Sequence, residues 1–234
     1  MKMQTYIQTN TAEQYDEGLR SYMMSVYHHM MIALLVTGLT SYISSPFLKP
    51  LMGTSWWFIF AFLPLVFVLA LSFGLHKMSI GVAKTLFYTY AITMGLSLSS
   101  IFMLFTTTSI AKVFFITSAT FAAASLYGYT TKRDLTSLGS FLIMGMIGLL
   151  IASVVNIFLA SSMMSWIISI VGVLIFTAMT AFDSQKLKDE YLSGGEVYGF
   201  DSPEKSSIFG ALTLYMNFII LFQYLLNLIG QKDE

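Results

Sequence analysis

Residues 138–160 read LGSFLIMGMIGLLIASVVNIFLA, and this stretch contains no charged side chain. A helix needs about 20 mostly apolar residues to cross the ~30 Å hydrocarbon core of a bilayer, so the stretch predicts a transmembrane helix. A transmembrane strand is disfavoured, because the run is long and continuous and lacks alternation of polar and apolar residues.

Six more apolar runs flank this stretch, so the sequence predicts seven membrane-spanning helices. In chain order the runs are residues 26–45, 56–75, 80–105, 112–129, 138–160, 165–182 and 208–229. Only helices and closed barrels satisfy their own backbone hydrogen bonds in a bilayer, which favours an all-α integral membrane protein. The expected parts are a polar cytoplasmic N-terminal segment (residues 1–25), a seven-helix transmembrane domain (residues 26–230) and a tail (residues 231–234).

The composition agrees with a membrane protein. Only 10% of the 234 residues are charged, whereas 56% are hydrophobic. Soluble domains carry about 25% charged residues, so the shortage argues against a soluble enzyme or a nucleic-acid-binding protein. The chain has no cysteine, which excludes disulfides, thiolate metal sites and cysteine nucleophiles.

The basic residues predict the orientation, since cytoplasmic loops of membrane proteins are enriched in lysine and arginine. With the N-terminus in the cytoplasm, nine basic residues lie inside, and only three lie outside, namely Lys49, Lys112 and Lys232. We therefore expect a cytoplasmic N-terminus and, with seven spans, an external C-terminus.

Asp183 is the only acidic residue that lies at the edge of an apolar run. An ionisable residue inside a membrane span is by default a candidate for function. We expect the helix to continue past the apolar run to Lys188, and the alternative interpretation is that Asp183 only marks the helix exit and pairs with Lys186. Position alone favours neither interpretation.

Polar residues also follow one face of two other spans. In the seventh span they are Thr213, Asn217, Tyr224 and Asn227, and in the third span they include Thr89, Thr93 and Ser97. Their spacings of three, four and seven keep each set on one helical face. Two such stripes predict an internal polar cavity, although ordinary hydrogen bonding between helices better explains any single residue.

Several membrane enzymes lack their required residues here. The last span has no lysine to hold retinal, and no histidine follows His76 to activate a serine nucleophile. An aspartyl protease needs two carboxylates that share a proton, and a zinc hydrolase needs three ligands. We therefore expect neither enzymatic activity nor a cofactor.

Four segments resemble the Bax inhibitor-1 family, especially its bacterial members. They are residues 19–23 (LRSYM), 88–91 (YTYA), 180–188 (TAFDSQKLK) and 211–219 (ALTLYMNFI). Their order and spacing extend the resemblance over nearly the whole chain. It implies seven helices with one central helix enclosed by the others, and a pH-sensitive calcium leak in the bacterial inner membrane.

The resemblance also implies a site. In the family, two aspartates on the sixth and seventh helices share a proton and gate the pore, and a basic residue near the inner end of the second helix pairs with them. The first aspartate matches Asp183, with calcium as a possible ligand. The basic residue matches His76 or Lys77, and the second aspartate falls on Asn217.

Asn217 departs from the family pattern. An asparagine neither carries charge nor titrates, but it donates a hydrogen bond and so mimics a permanently protonated partner. Divalent affinity should fall, because calcium sites gain strength from ligand charge. His76 is then a possible source of residual pH response.

Two other functions stay open. Some bacterial relatives are associated with a membrane-anchored AAA protease, so the chain is alternatively a non-conducting regulatory protein that uses its N-terminal segment as the contact. A transporter of a small solute would instead show saturable uptake. The expected partners are membrane lipid and cations and, under the regulatory alternative, such a protease, but no nucleic acid.

Overall fold

The computed structural model describes residues 2–51, 53–194 and 202–233, while the side chains of residues 2–16 and of His76 lie outside that description. Seven of its helices are long and apolar enough to cross a membrane. They are α1 (Lys2–Leu48), α2 (Ser55–Gly74), α3 (Ile80–Leu98), α4 (Thr107–Thr130), α5 (Thr136–Leu159), α6 (Ser162–Leu192) and α7 (Pro203–Ile229). The predicted seven-helix membrane fold is confirmed.

Hydroxyl side chains begin four of these helices. Each cap accepts the backbone N–H three positions later, and the caps of α3, α4, α6 and α7 are Ser79, Thr106, Ser161 and Ser202. Such a bond satisfies one of the amide donors that a helix start leaves without an intrahelical partner. At α7, Pro203 follows the cap, where its missing N–H costs nothing.

The third predicted span is interrupted. Its regular helix ends at Leu98, and a separate one-turn helix covers Ile101–Leu104. At the junction, the hydroxyls of Ser99 and Ser100 donate to backbone carbonyls three residues earlier, at 2.7 and 3.4 Å. Such side-chain bonds offer the backbone an alternative to the regular helical ladder, which accounts for the break.

α7 is the central helix. Fifteen of its 27 residues are buried, against three of 24 in α5. It contacts α1, α3, α4 and α6. The enclosed helix that the family resemblance implies is therefore present.

Residues 19–26 and residues 231–233 both pack or bond against this bundle. α1 is continuous across the boundary that we predicted between residues 25 and 26, and its residues Leu19, Tyr22 and Val26 are buried. At the other end, the backbone N–H of Thr106 donates to Gln231, and that of Asp233 donates to Leu104, both at 3.1 Å. Residues 231–233 thus pair with the chain that leads into α4.

Candidate ion site

Asp183 and Asn217 meet inside the bundle. The Asn217 amide nitrogen Nδ2 donates to the Asp183 carboxylate oxygen Oδ2 at 2.6 Å, and each residue is 5% exposed. A buried carboxylate is costly unless hydrogen bonds replace the water it loses, and this amide provides one. The family resemblance assigns these two positions to the paired site, and the structure brings their side chains into contact.

Asp183 does not mark the end of its helix. α6 continues to Leu192, where Ser193 and the left-handed Gly194 (φ +71°) terminate it. Asp183 therefore lies more than two turns inside the helix, with its carboxylate facing α7. The sequence predicts that the helix continues to Lys188, and the structure extends it four residues further, to Leu192.

α4 fixes the rotation of α6 about its own axis. A side chain at Gly128 would overlap the backbone carbonyl of Ala181, so only glycine permits this approach of the two helices. One residue beyond Asp183, Ser184 bonds Ser125 of α4 at 2.8 Å between the two hydroxyl oxygens. These contacts hold one side of α6 against α4 and leave the Asp183 side facing α7.

Gln185 and Lys188 anchor the same side of α6. The Gln185 side chain accepts the backbone N–H of Leu135 and donates to the carbonyl of Arg133, both at 2.8 Å. The Lys188 ammonium donates to the carbonyl of Tyr129 at 3.1 Å. Both residues therefore bind backbone groups at the end of α4 and in the α4–α5 connection.

A second acid is buried in α6, and the sequence analysis missed it. Glu190 is 1% exposed, and the hydroxyl of Ser206 donates to its Oε1 at 3.5 Å. The hydroxyl of Tyr22, from α1, bonds that of Ser206 at 2.8 Å. Asp183 is therefore not the only buried acid among the described residues, because α1 helps to cover a carboxylate that the sequence places among charged residues.

Of the two predicted basic residues, only the side chain of Lys77 belongs to the described part of the chain. Lys77 is exposed in a 3₁₀ turn, Leu75–Lys77, and among the described side chains it makes no ion pair with Asp183. The turn itself contacts α7. His76 is the other predicted partner, and its side chain lies outside the described part of the chain.

The predicted polar stripes do not converge. Thr89 and Thr213 donate to the carbonyl four residues back in their own helices, and Thr93 to the carbonyl three back. Asn227 is exposed. The Tyr224 ring packs against Gly172, where a side chain would collide with it. The structure describes no hydrogen bond from Ser97, so the stripes contribute mainly bonds within helices.

The site has few charged ligands. Among the described residues, no group of three or more histidine, cysteine, aspartate or glutamate side chains is placed to hold a metal ion. Calcium usually takes six to eight oxygen ligands, several of them carboxylate. One carboxylate beside a neutral amide therefore suits transient contact with a cation better than tight binding.

A large groove lies elsewhere in the molecule. It measures about 890 Å³, and α1 and α4 line it with mostly apolar side chains such as Met23, Leu34 and Phe121. Neither Asp183 nor Asn217 lines it. The site is thus a closed contact between helices.

Comparison with known proteins finds one matching family and several bacterial relatives of similar length. The sequence model of a family described as inhibitor of apoptosis-promoting Bax1 matches residues 19–234. The chain is 43% identical to the uncharacterised protein RP147 of Rickettsia prowazekii, over 98% of both chains. It is 41% identical to the inner membrane protein YbhL of Escherichia coli K12, over 92% of this chain and 93% of that protein. It is 30% identical to the uncharacterised membrane protein SpyM3_0260 of Streptococcus pyogenes, over 94% and 96%.

Proposed function

Because the chain belongs to the Bax inhibitor-1 family of integral membrane proteins, we propose that it is a cation leak of the bacterial inner membrane that lets calcium pass beside Asp183. The observation that carries the proposal is the buried contact between Asp183 and Asn217 at 2.6 Å. A carboxylate inside a membrane bundle is expensive to maintain, and such residues mark ion pathways.

The replacement of the family's second aspartate by Asn217 determines the pH dependence that we expect for the calcium flux. Two carboxylates in contact share one proton, so their charge depends on pH. With an amide as partner, only Asp183 titrates at this contact, and His76 is the other candidate for a pH response. We therefore expect calcium flux with a shallow dependence on pH.

The first test uses purified protein in liposomes that contain a calcium indicator. We expect flux above that of empty vesicles, and we expect Asp183→Asn to reduce it to the empty-vesicle level. Asp189→Asn is the matched control, because Asp189 is exposed on the same helix. Wild-type flux equal to that of empty vesicles at every pH would refute the leak.

The second test restores the family's pair of acids. Asn217→Asp places two carboxylates in contact, so the flux should become strongly pH-dependent. Asn227→Asp introduces the same change at an exposed position of α7 and should leave the pH profile unchanged. If both variants keep the wild-type profile, the Asp183 contact does not gate the flux.

A regulatory role is the second candidate, and the shape of α1 favours it. This helix starts at Lys2, whereas the family match starts at residue 19. Residues 2–16 therefore extend beyond the common domain and offer a contact for a membrane-anchored AAA protease. Deletion of residues 2–16 should abolish co-purification of the protease and leave calcium flux intact. Co-purification that survives the deletion would count against this contact.

A further inference from the structure

Three layers of side chains are stacked between α6 and α7. Asp183, Leu187 and Glu190 are spaced by four and three residues, so they lie on one face of α6. Along the antiparallel α7, the positions that meet them are Asn217, Gly210 and Ser206. Two polar layers, each with one carboxylate, therefore enclose one apolar layer.

The apolar layer is tightly fitted. Leu187 is fully buried, and its Cδ2 would lie 2.6 Å from a Cβ atom at Gly210. Val26 of α1 closes the third side, with its Cγ2 at 3.3 Å from the same point, and it too is fully buried. Glycine at position 210 thus makes the space that Leu187 fills.

The polar layer formed by Glu190 and Ser206, here called the inner layer, contains a second carboxyl group of the kind that Asn217 lacks. Glu190 lies seven residues after Asp183, which is about 10 Å along the helix axis at 1.5 Å per residue. Ser206 of α7 donates to its carboxylate, and Tyr22 of α1 bonds Ser206. Carboxylate and hydroxyl oxygens are the ligands that hard cations such as calcium prefer.

We propose that Leu187, seated against Gly210 and Val26, is the apolar barrier between two cation stations, Asp183 and Glu190, on one path along the α6–α7 face. This inference rests on the proposed function. It adds Glu190 as a second cation-binding position and Leu187 as the barrier that a cation must pass. A cation that leaves one carboxylate must cross the Leu187 layer before it reaches the other. Displacement of this one side chain from its seat opens the path.

The sequence offers a direct way to test the barrier without measuring flux. The chain has no cysteine, so a single introduced cysteine is the only thiol. Asn217→Cys places that thiol in the outer polar layer, beyond Leu187 from the Glu190 end. We expect Leu187→Ala to raise the rate at which a cationic methanethiosulfonate, added on the Glu190 side, modifies this cysteine by about tenfold, or ~1.4 kcal/mol.

The control substitution is Leu174→Ala in the same reporter protein. Leu174 lies on α6 but is 66% exposed on the outside of the bundle, so its truncation should leave the modification rate unchanged. If Leu187→Ala does not yield a monodisperse protein, Leu187→Val removes less volume and should raise the rate in the same direction. Unchanged modification in the folded Leu187 variant would overturn the barrier.

Calcium flux in liposomes then separates this proposal from the proposed function. We expect Leu187→Ala to increase flux and the added change Glu190→Gln to reverse the increase. Faster modification without flux in any variant would refute the leak and leave the barrier standing. Flux in the wild type with no response to Leu187→Ala, and no change in modification, would retain the leak and refute the barrier. Flux in Leu187→Ala that Glu190→Gln leaves unchanged would refute Glu190 as a station.

Discussion

The two sides of α6 use polar groups in different ways. On the α4 side, Ser184 bonds the Ser125 side chain, but Gln185 and Lys188 bind backbone groups, those of Arg133, Leu135 and Tyr129. On the α7 side, Asp183 and Glu190 bind side chains, those of Asn217 and Ser206. Backbone partners cannot turn away without moving a helix, whereas side-chain partners exchange by rotation. The comparison indicates that α4 holds α6 in place. The side chains of α6 that face α7 are the ones that can exchange their hydrogen-bond partners.

Crowding the anchored side should have the largest effect. Gly128→Ala places a Cβ atom against the backbone carbonyl of Ala181, and no flexible side chain is there to yield. We expect destabilisation of about 3 kcal/mol or loss of folded protein, measured by tryptophan fluorescence during unfolding in detergent. Gly148→Ala is the control, since nothing lies within 4 Å of its added atom. Equal stability of both variants would contradict the close contact of α4 and α6.

The hydrogen bonds of the anchored side come next. Gln185→Met keeps the side-chain length but removes both bonds to the α4–α5 connection. We expect about 2 kcal/mol of destabilisation in the same assay, because a buried N–H and a carbonyl lose their partners. Flux per folded molecule should not change. A variant of normal stability with altered flux would reverse the roles of the two sides.

The α7 side should show the opposite pattern. Asp183→Asn replaces the carboxylate with a neutral group of the same shape, so an oxygen still accepts from Asn217. We expect the free energy of unfolding to change by less than ~1 kcal/mol, because removing a buried charge offsets the weaker hydrogen bond. A loss of stability as large as that of Gln185→Met would make Asp183 a structural anchor as well.

The smallest effect on stability is expected at Asp134, an exposed residue in the connection between α4 and α5. Hydrogen bonds from Thr136 lower the pKa of the exposed Asp134 below its ordinary value of 3.8. A lowered pKa in the folded state means that ionised Asp134 contributes stability above pH 3.8, and that this contribution is lost as the pH falls through the folded value. Asp134→Asn should therefore have a slightly smaller drop in melting temperature between pH 6 and pH 3 than the wild type. An identical drop in both proteins would show that Asp134 makes no such contribution.

The seven spans were predictable because each is long, apolar and bounded by polar residues. The meeting of Asp183 with Asn217 followed from the family resemblance. Hydropathy alone placed the end of the sixth run at residue 182, since the next eight residues include five charged ones. The sequence nevertheless predicts helix to Lys188, and the structure extends it to Leu192, where α4 and α7 supply partners for Lys188 and Glu190 that the local sequence does not contain.

The burial of Glu190 shows what sequence reasoning cannot supply. Its neighbour Tyr22 lies 168 residues earlier in the chain, in a segment that the sequence presents as a polar lead-in. One signal was present, because Glu190 lies seven residues after Asp183 and so shares its helical face. That spacing becomes informative only once α6 is known to continue as a helix.

The pairing of residues 231–233 with the entry to α4 has a practical consequence for handling the protein. A purification tag or fluorescent reporter fused directly after Glu234 would begin two positions after Asp233, whose backbone N–H donates to Leu104. A flexible linker is therefore needed to keep the fusion from pulling this short pairing apart. The same pairing holds residues 231–233 beside the α3–α4 connection, so a reporter fused after them would also reveal on which side of the membrane that connection lies.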